Sequence, residues 1–260
     1  MAKEKLTIVK IGGDIVDNDV LLASFFENIK EVTGPKIIVH GGGNRASALQ
    51  KELGIEPKKI EGRRVTDEAT LEVVTMVYAG LLNKKLVSKL QALNDNAIGL
   101  SGADGDAIRA HKRIVKTVDY GFAGDIDQVN VRFIHDLLST SKTPVFSPIT
   151  HDGKGQLLNT NADTLAARIA SAMSLKYETE LFYCFTKPGV LRDVDNDDSV
   201  VEDIKAHNYL KLKQEGVVTD GMIPKLDTAF EALTGGVSQV HLGLVDILSN
   251  NELKHTTLCL

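Results

Sequence analysis

The chain has 260 residues, of which 43% are hydrophobic and 25% are charged, and its formal net charge is -5. This composition excludes a disordered chain, and the acidic balance without any basic run argues against a nucleic-acid-binding protein. No apolar stretch approaches membrane-spanning length, and the two cysteines have no metal-binding spacing, so we expect a cytoplasmic protein with reduced thiols.

Strands and helices alternate along the first hundred residues. Apolar, β-branched runs predict strands at LTIVKI (from Leu6), KIIVH (from Lys36) and AIGLSG (from Ala97), and amphipathic runs between them predict helices. Thr66 is expected to cap the long helix that follows it, because two acidic residues come next. This β-α-β order predicts a mostly parallel sheet with helices on both faces.

The pattern changes in the middle of the chain. Between Lys112 and Asn130, short strands broken by glycines predict hairpins. Strands return at TPVFSPI, TELFYCF and SQVHLG, and helices follow NTNAD and DGMIPK. Pro224 lies near the start of the last helix and Gly235 at its end, as these residues prefer. No repeat or linker divides the chain, so any two lobes are expected to share one continuous sheet.

Glycines follow several of the predicted strands. Three strands end in glycine, at Gly12 and Gly13, at Gly41 to Gly43, and at Gly102 and Gly105. Ligands of open parallel sheets bind at the carboxyl ends of the strands, where glycine lets backbone N–H groups approach an anion. A tight turn into the next helix would explain any one of them, but the three together favour an anion site. The G-x-x-x-x-G-K-[ST] and G-x-G-x-x-G signatures are absent, so another binding scheme is needed.

Charged residues lie beside these glycine turns. Lys10 interrupts an apolar strand, and Lys225 opens a helix, where the helix dipole disfavours a cation. A lysine that reaches the surface would explain either residue structurally. Arg63 and Arg64 precede the long helix and suit a carboxylate clamp, and their spacing leaves open which of them turns inward.

The segment NTNAD places Asn159, Asn161 and Asp163 at alternate positions. If its first part is extended, both asparagines face one way and Asp163 starts the helix. Either Asn161 or Asp163 could cap that helix. An asparagine-rich turn with an aspartate cap is the structural alternative to a binding role.

Six motifs occur in an order that closely resembles the amino acid kinase family: VKIGGDIV, IVHGGG, GRRVT, GLSGADGD, LLNTNAD and TDGMIPK. Within that family they are most similar to the enzymes that phosphorylate N-acylglutamates. The resemblance implies an α/β fold, an open αβα sandwich around a mostly parallel central sheet. It also implies an N-lobe (1–178) that binds acylglutamate and forms a homodimer, and a C-lobe (179–260) that binds ATP.

The implied reaction transfers the γ-phosphoryl group of ATP, with Mg²⁺, to the γ-carboxylate of an N-acyl-L-glutamate in arginine biosynthesis. By this resemblance, Lys10 and Lys225 would stabilise the transferring group, and Asp163 would hold both lysines. The implied substrate-binding residues are Gly42, Gly43, Arg64, Asn159 and Asn161. The implied ATP-binding residues are Gly12, Gly13, Thr186, Lys187, Gly189, Val217, Val218 and Thr219. The ATP phosphates rather than protein side chains are expected to hold the magnesium ion.

One motif departs from the family pattern. The nucleotide strand ends CFTKPGVL, so Thr186 and Lys187 replace a usual Asp-Val pair, and Pro188 precedes the retained Gly189. Two alternatives therefore stay open: a non-catalytic acylglutamate or nucleotide sensor, and a kinase for another N-acylglutamate such as N-succinyl-L-glutamate. In this family, arginine-inhibited hexamers carry an extra N-terminal helix. Because the chain begins only a few residues before its first strand, the resemblance implies a dimer insensitive to arginine.

Overall fold

The computed structural model describes residues 3–60, 62–218 and 222–260. Two compact units make up the chain. Unit 1 comprises Met1–Lys36 and Ala166–Leu260, and unit 2 comprises Ile37–Leu165. The functional lobes expected from the sequence have different bounds, and their roles and shared sheet stay predictions.

The strands and helices follow in chain order. The first strands are β1 (Lys5–Ile11), β2 (Lys36–His40), β3 (Lys59–Ile60), β4 (Arg63–Arg64), β5 (Ala97–Leu100), β6 (Ile108–Lys112) and β7 (Gly124–Val129). The later strands are β8 (Thr143–Phe146), β9 (Ile149–His151), β10 (Leu157–Asn159), β11 (Glu178–Cys184), β12 (Asp203–Lys205), β13 (Gln239–Gly243) and β14 (Thr256–Cys259). The α-helices are α1 (Gly13–Val16), α2 (Asp19–Ile29), α3 (Gly43–Glu52), α4 (Glu68–Val74), α5 (Asn83–Ala92), α6 (Val131–Ser139), α7 (Ala162–Met173), α8 (Ala206–Gln214) and α9 (Ile223–Thr234).

Unit 1 carries the strands in the order β12-β14-β13-β11-β1. Among its described strands, β13 and β14 form the antiparallel pair and the other neighbours are parallel. The interiors of β1, β11 and β13 are mostly buried and apolar, as expected of a parallel sheet. Because these three strands run the same way, their last residues, Ile11, Cys184 and Gly243, meet at one edge of the sheet.

Unit 2 contains the parallel set β2-β8-β5 and a second sheet in the order β10-β9-β6-β7. In the second sheet, β6 and β7 form an antiparallel pair. Strand β7 lies within the segment where the sequence predicts hairpins, whereas β6 ends where that segment begins. The prediction of an α/β fold with a mostly parallel large sheet is therefore confirmed. The parallel order brings the carboxyl end of β2, with its three glycines, to the same edge as the end of β8.

A long helical stretch in unit 2 differs from its prediction in two ways. Between α4 and α5 the segment Thr75–Leu82 is π-helical, a widened helix that often occurs at functional sites. The cap of α4 is Asp67, whose carboxylate accepts the N–H of Thr70 at 2.8 Å. The prediction that Thr66 is the cap was wrong, because Thr66 is still extended and pairs with Gly121 in a β-bridge.

Two predictions about the last helix are confirmed. Pro224 lies in the first turn of α9 and Gly235 caps its end. Cys184 and Cys259 are free thiols, and burial raises the pKa of Cys184 to about 12, which makes this thiol unreactive. None of the helices in the described residues has the length and apolar character needed to cross a membrane.

Candidate functional site

Lys10 and the first glycine turn lie at the carboxyl edge of the unit 1 strands. Lys10 is the penultimate residue of β1 and is half-buried, in register with Tyr183 of β11. A Cβ atom placed on Gly12 would lie 3.9 Å from Lys10 Nζ, so the lysine side chain extends along the strand to the turn. Gly12 caps α1 and Gly13 is its first residue. A cationic amine and side-chain-free backbone therefore occur together, as an anion site requires.

Helix α9 brings a second lysine to the same edge. Lys225 lies in the first turn of α9, and its Nζ is 5.4 Å from the ring centroid of Phe185, the residue that follows β11. A cation is attracted to the face of an aromatic ring. Because Ile11 and Cys184 are register partners, the two lysines belong to adjacent strand ends. Phe185 was not predicted from the sequence, where nothing marks it as a lysine partner.

The segment after β11 is fixed by a buried threonine. A Cβ atom on Gly189 would lie 2.6 Å from Thr256 Oγ1, so a side chain has no room there. The Thr256 hydroxyl accepts the N–H of Val190 at 2.8 Å and donates to the carbonyl of Val201 at 2.7 Å. Gly189 therefore has a packing role in addition to the ATP-binding role that stays a prediction. Thr256 was missed because it lies 67 residues further along the chain.

The residues that replace the usual Asp-Val pair are exposed or half-buried. Lys187 Nζ donates to the carboxylate of Asp197 at 2.9 Å and to the carbonyl of Val194 at 3.2 Å. Thr186 is exposed. The lysine is therefore engaged by the following loop, and any phosphate would have to compete with Asp197 for it.

Val217 and Val218 follow α8 and are fixed by their backbone. Their N–H groups donate to the carbonyl of Leu212 at 3.1 and 3.3 Å, and Val218 is buried. Thr219, which the resemblance also implies to bind ATP, lies outside the described residues.

A charged cluster connects α8 to α9. Asp227 Oδ1 accepts the Tyr209 hydroxyl at 2.7 Å and Lys213 Nζ at 2.7 Å. Burial, followed by the hydrogen bond to Asp227, raises the pKa of Tyr209 well above its usual value. Since Asp227 lies two residues after Lys225, this cluster fixes the helix that carries the second lysine.

Arg64 is the arginine that turns inward in unit 2. It is buried, and its guanidinium donates to the carbonyl of Gly43 at 2.7 Å, to Ser47 Oγ at 2.8 Å and to the side-chain oxygen of Gln50. Arg63 is half-buried. Three of the five N–H groups of Arg64 thus bind residues along one side of α3, so a substrate carboxylate would share this guanidinium with the protein.

Gly42 and Gly43 form the start of α3, with Gly42 as the cap and Gly43 as the first helical residue. The first N–H groups of a helix have no carbonyl partner within it, and they favour an anion. Gly42 is buried because it packs on the π-helical segment: a Cβ atom would lie 2.2 Å from Leu82 Cδ1 and 3.1 Å from the Tyr78 ring. The absence of a side chain is therefore a steric requirement at Gly42.

Asn159 is linked to Arg64 through one residue. Its side-chain amide donates to Thr66 Oγ1 at 3.0 Å, and Thr66 Oγ1 donates to the backbone carbonyl of Arg64 at 3.2 Å. Asn161 is the cap of α7, because its side-chain oxygen accepts the N–H groups of Asp163 and Thr164 at 2.9 and 3.0 Å. Asp163 lies in the first turn of the helix. Of the two capping alternatives, Asn161 is the correct one.

A basic cavity of about 510 Å³ lies beside Arg63 in unit 2. Its other lining residues are His111, Arg113, Ile114, Lys116, Thr117, Val118, Tyr120 and Asp125. Arg113 forms an ion pair with Asp125. Burial would raise the pKa of the Asp125 carboxyl, but hydrogen bonding and the charge of Arg113 lower it below its usual value. The lining has more cationic groups than carboxylates. The spacing of charged residues in the sequence did not predict this basic cavity.

No group of three or more histidine, cysteine, aspartate and glutamate side chains that could hold a metal ion occurs in the part of the chain that the structure describes. At the glycine turn of unit 1, the amino group of Lys10 lies near Gly12, and Asp14, in the first turn of α1, is exposed. Such a site suits a cation that arrives bound to phosphate oxygens rather than one held by the protein.

The model of the amino acid kinase family matches residues 5–243. The chain belongs to the amino acid kinase family. An acetylglutamate kinase from Phocaeicola vulgatus is 49% identical over 250 residues, which cover 96% of this chain and 97% of that protein. An acetylglutamate kinase from Bacteroides thetaiotaomicron is 47% identical over 250 residues with the same coverage.

Solved structures agree on the fold. Carbamate kinase from Giardia lamblia bound to AMP-PNP has a TM-score of 0.69 and 14% identity, and the match covers 100% of this chain and 99% of that one. At such identity the likeness shows the fold alone. In this amino acid kinase family member, unit 1 carries lysines beside a glycine turn, and unit 2 carries a buried arginine beside the start of a helix.

Proposed function

We propose that this protein catalyses the ATP-dependent phosphorylation of the γ-carboxylate of N-acetyl-L-glutamate, a step of arginine biosynthesis. The observation that carries the proposal is the 47–49% identity to acetylglutamate kinases over 96% of the chain. Retention of Lys10 beside the first glycine turn and of Lys225 at the start of α9 supports an active enzyme. A sensor without catalysis would not need both lysines.

The proposed reaction requires alignment of the carboxylate with the γ-phosphoryl group rather than proton transfer. A γ-carboxylate is already ionised near neutral pH, so no general base is needed. One carboxylate oxygen forms a bond to the γ-phosphorus while the bond from that phosphorus to the β–γ bridging oxygen breaks, and ADP leaves. The main barrier is repulsion between two anions, which positioned cations and N–H groups reduce.

Each residue group has one task in this proposal. Lys10 and Lys225 bind oxygens of the transferring phosphoryl group, with the N–H groups of the Gly12 turn. Arg64 and the start of α3 bind the acylglutamate, and Asp163 keeps the lysines in place, as the family resemblance implies. Magnesium bound to the ATP phosphates neutralises part of their charge.

The assembly and location are also proposals. The resemblance implies a homodimer, and the biosynthetic relatives favour a cytoplasmic enzyme. Light scattering coupled to size exclusion tests the assembly: a mass near twice 28.2 kDa is expected, and a mass near the single chain would contradict it.

The first experiment is an acyl-phosphate assay in which the product is trapped as a hydroxamate. ATP, magnesium and one of glutamate, N-acetyl-L-glutamate or N-succinyl-L-glutamate are supplied side by side. Turnover of N-acetyl-L-glutamate and not of free glutamate is expected. Binding of an acylglutamate without turnover of any substrate would instead show a sensor.

The basic cavity supports a second candidate substrate, an N-acylglutamate whose acyl group ends in a carboxylate, such as N-succinyl-L-glutamate. Arg63, Arg113 and Lys116 line this cavity, and Arg63 directly precedes the proposed substrate ligand Arg64. If this candidate is correct, kcat/KM is higher for the succinyl than for the acetyl substrate. Lys116→Gln should then lower only the succinyl value. Lys112→Gln is the control, because Lys112 lies over the Phe122 ring and not in the cavity lining.

A further inference from the structure

His40, the last residue of β2, is fully buried next to the three glycines. Its Nδ1 lies 2.8 Å from the carbonyl oxygen of Gly41. Its Nε2 lies 3.2 Å from the side-chain nitrogen of Asn83, the first residue of α5. Asn83 is also fully buried, and the same nitrogen donates to the carbonyl of Val145 at 2.9 Å. Both imidazole nitrogens are thus occupied, one by the glycine backbone and one by an amide.

These contacts fix the tautomer of His40. The nitrogen of Asn83 carries hydrogens and is a donor, so Nε2 of His40 must accept and carries no proton. Nδ1 therefore carries the proton and donates it to Gly41. Burial lowers the pKa of His40 to about 4, and the charge of Lys84 adds to this effect, so the ring is neutral at pH 7. A second proton would place two donors, Nε2–H and the amide of Asn83, against each other.

The hydrogen bond to Gly41 orients the next amide. In a trans peptide the C=O of one residue and the N–H of the next point in opposite directions. No peptide bond in the described residues is cis. When the Gly41 carbonyl is held on the imidazole, the N–H of Gly42 must point away from it.

The π-helical segment completes this support. Tyr78 and Leu82 pack under Gly42, and Asn83 follows Leu82 directly. The residue that contacts the glycine turn and the residue that fixes the histidine tautomer are therefore consecutive. Packing against Tyr78 and Leu82 confines Gly42 sterically, and the hydrogen bond from His40 fixes the orientation of the Gly41 carbonyl.

We propose that His40 and Asn83 are positioning residues for phosphoryl transfer: they hold the Gly41–Gly42 peptide so that the Gly42 N–H faces the acylglutamate. The proposal rests on the proposed function, in which Gly42 binds that substrate. Neither residue needs to touch a substrate, and neither donates or accepts a proton during the reaction. Their task is to keep one N–H in a single orientation before the substrate arrives.

Three variants test the positioning role. His40→Leu removes the hydrogen bond to Gly41, whereas His40→Asn can still place an N–H donor near the position of Nδ1. Ile38→Val is the matched control, because Ile38 is a fully buried neighbour on β2 that lies on the same face two residues earlier. Thermal unfolding of each variant is followed, and assays are run well below the lowest midpoint.

We expect His40→Leu to lower kcat/KM for the acylglutamate on the order of 10²-fold, as loss of an oriented N–H donor does, with KM for ATP within about twofold. His40→Asn should recover at least about tenfold of that loss, and Ile38→Val should stay near wild type. In ¹⁵N-histidine NMR spectra at pH 7, His40 should be the neutral Nδ1–H tautomer.

Several results would overturn the proposal. A folded His40→Leu variant with wild-type kcat/KM would do so while leaving the proposed function intact. So would equal losses in His40→Asn and His40→Leu, or an Nε2–H tautomer in the spectra. A wild-type protein that turns over no acylglutamate would remove the proposed function and this role with it.

Discussion

Three lysines of unit 1 differ in what their amino groups contact. Lys187 is bound to Asp197 and to a backbone carbonyl. Lys225 instead faces the ring of Phe185, and Lys10 extends to the backbone of Gly12. A phosphate would have to compete with Asp197 for Lys187, whereas the aromatic face beside Lys225 attracts a cation without neutralising it. The positions of Lys10 and Lys225 at adjacent strand ends agree with the role proposed for both of them in stabilising the phosphoryl group.

Replacement of either lysine by alanine should therefore strongly lower the catalytic rate. We expect Lys10→Ala and Lys225→Ala each to lower kcat on the order of 10²- to 10³-fold, as loss of one oxyanion donor does. Lys211→Ala is the control, because Lys211 is an exposed residue of α8. Steady-state kinetics with saturating ATP and acylglutamate give the comparison. Near-normal turnover of either lysine variant would exclude the proposed mechanism.

The adjacent residues Gly42 and Gly43 should respond differently to alanine. A Cβ atom on Gly42 would overlap Leu82, whose side chain is buried, while a Cβ atom on Gly43 would lie 3.9 Å from Arg64 Nη2 in ordinary contact. Gly42→Ala should cost about 1–3 kcal/mol of unfolding free energy, as overpacking does, and should raise KM for the acylglutamate. Gly43→Ala should unfold near the wild-type urea midpoint. Equal urea midpoints for the two variants would contradict this packing.

At the scale of elements, the sequence predicts those features that are determined by residues close together in the chain. The order of strands and helices followed from apolar β-branched runs, and the start and end of α9 followed from Pro224 and Gly235. The inward turn of Arg64 could not be predicted, because two adjacent strand residues face opposite sides and only the partner element decides which side is buried. The π-helical segment could not be predicted either, since its apolar pattern is also that of an α-helix.

Site residues that act through distant partners were also beyond the sequence. The contact of His40 with Asn83 joins positions 43 residues apart, and that of Val190 with Thr256 joins positions 66 apart. Such pairs depend on how β2 lies against a helix or β14 against a loop. The spacing of residues within one segment of the sequence therefore does not predict these contacts.

The segment that follows β11 should depend on the Thr256 hydroxyl. Thr256→Val keeps the shape but leaves the buried N–H of Val190 and the carbonyl of Val201 without a partner. Each such group costs about 1–3 kcal/mol, and a displaced loop should raise KM for ATP. Thr234→Val is the control, because its hydroxyl is exposed on α9. Urea unfolding that gives equal stability for the two variants would contradict the role of Thr256.

At the scale of the whole molecule, each unit contains a histidine that is buried in its neutral form. In unit 2, burial lowers the pKa of His40 to about 4. In unit 1, burial lowers the pKa of His241 to about 4, and the nearby His255 adds to this effect. His241 stacks on Phe182 with a centroid distance of 4.5 Å, and its Nδ1 lies 3.0 Å from His255 Nε2. Both imidazoles resist protonation because burial would remove the charged ring from water. The added charge would also face the amide donor of Asn83 at His40, and His255 at His241.

Mild acid should consequently destabilise the protein. A histidine whose pKa falls from 6.5 in the unfolded chain to about 4 in the fold binds its proton first in the unfolded state. Its contribution to stability is complete above pH 6.5 and is lost as the pH falls towards 4, by about 3 kcal/mol for each such histidine. Urea unfolding at pH 7, 6 and 5 should show this decline.

The variants identify which histidine is responsible for the decline. His40→Leu should have a shallower dependence of unfolding free energy on pH, by up to about 1.4 kcal/mol per pH unit, whatever its stability at pH 7. His207→Gln should keep the wild-type slope, because His207 is exposed on α8. Carboxylates with lowered pKa values, such as Asp125, lose their contribution only below their usual range and so do not affect this window. A wild-type stability that stays constant between pH 7 and pH 5 would contradict the lowered pKa values of His40 and His241, and with them the burial of both rings in the neutral form.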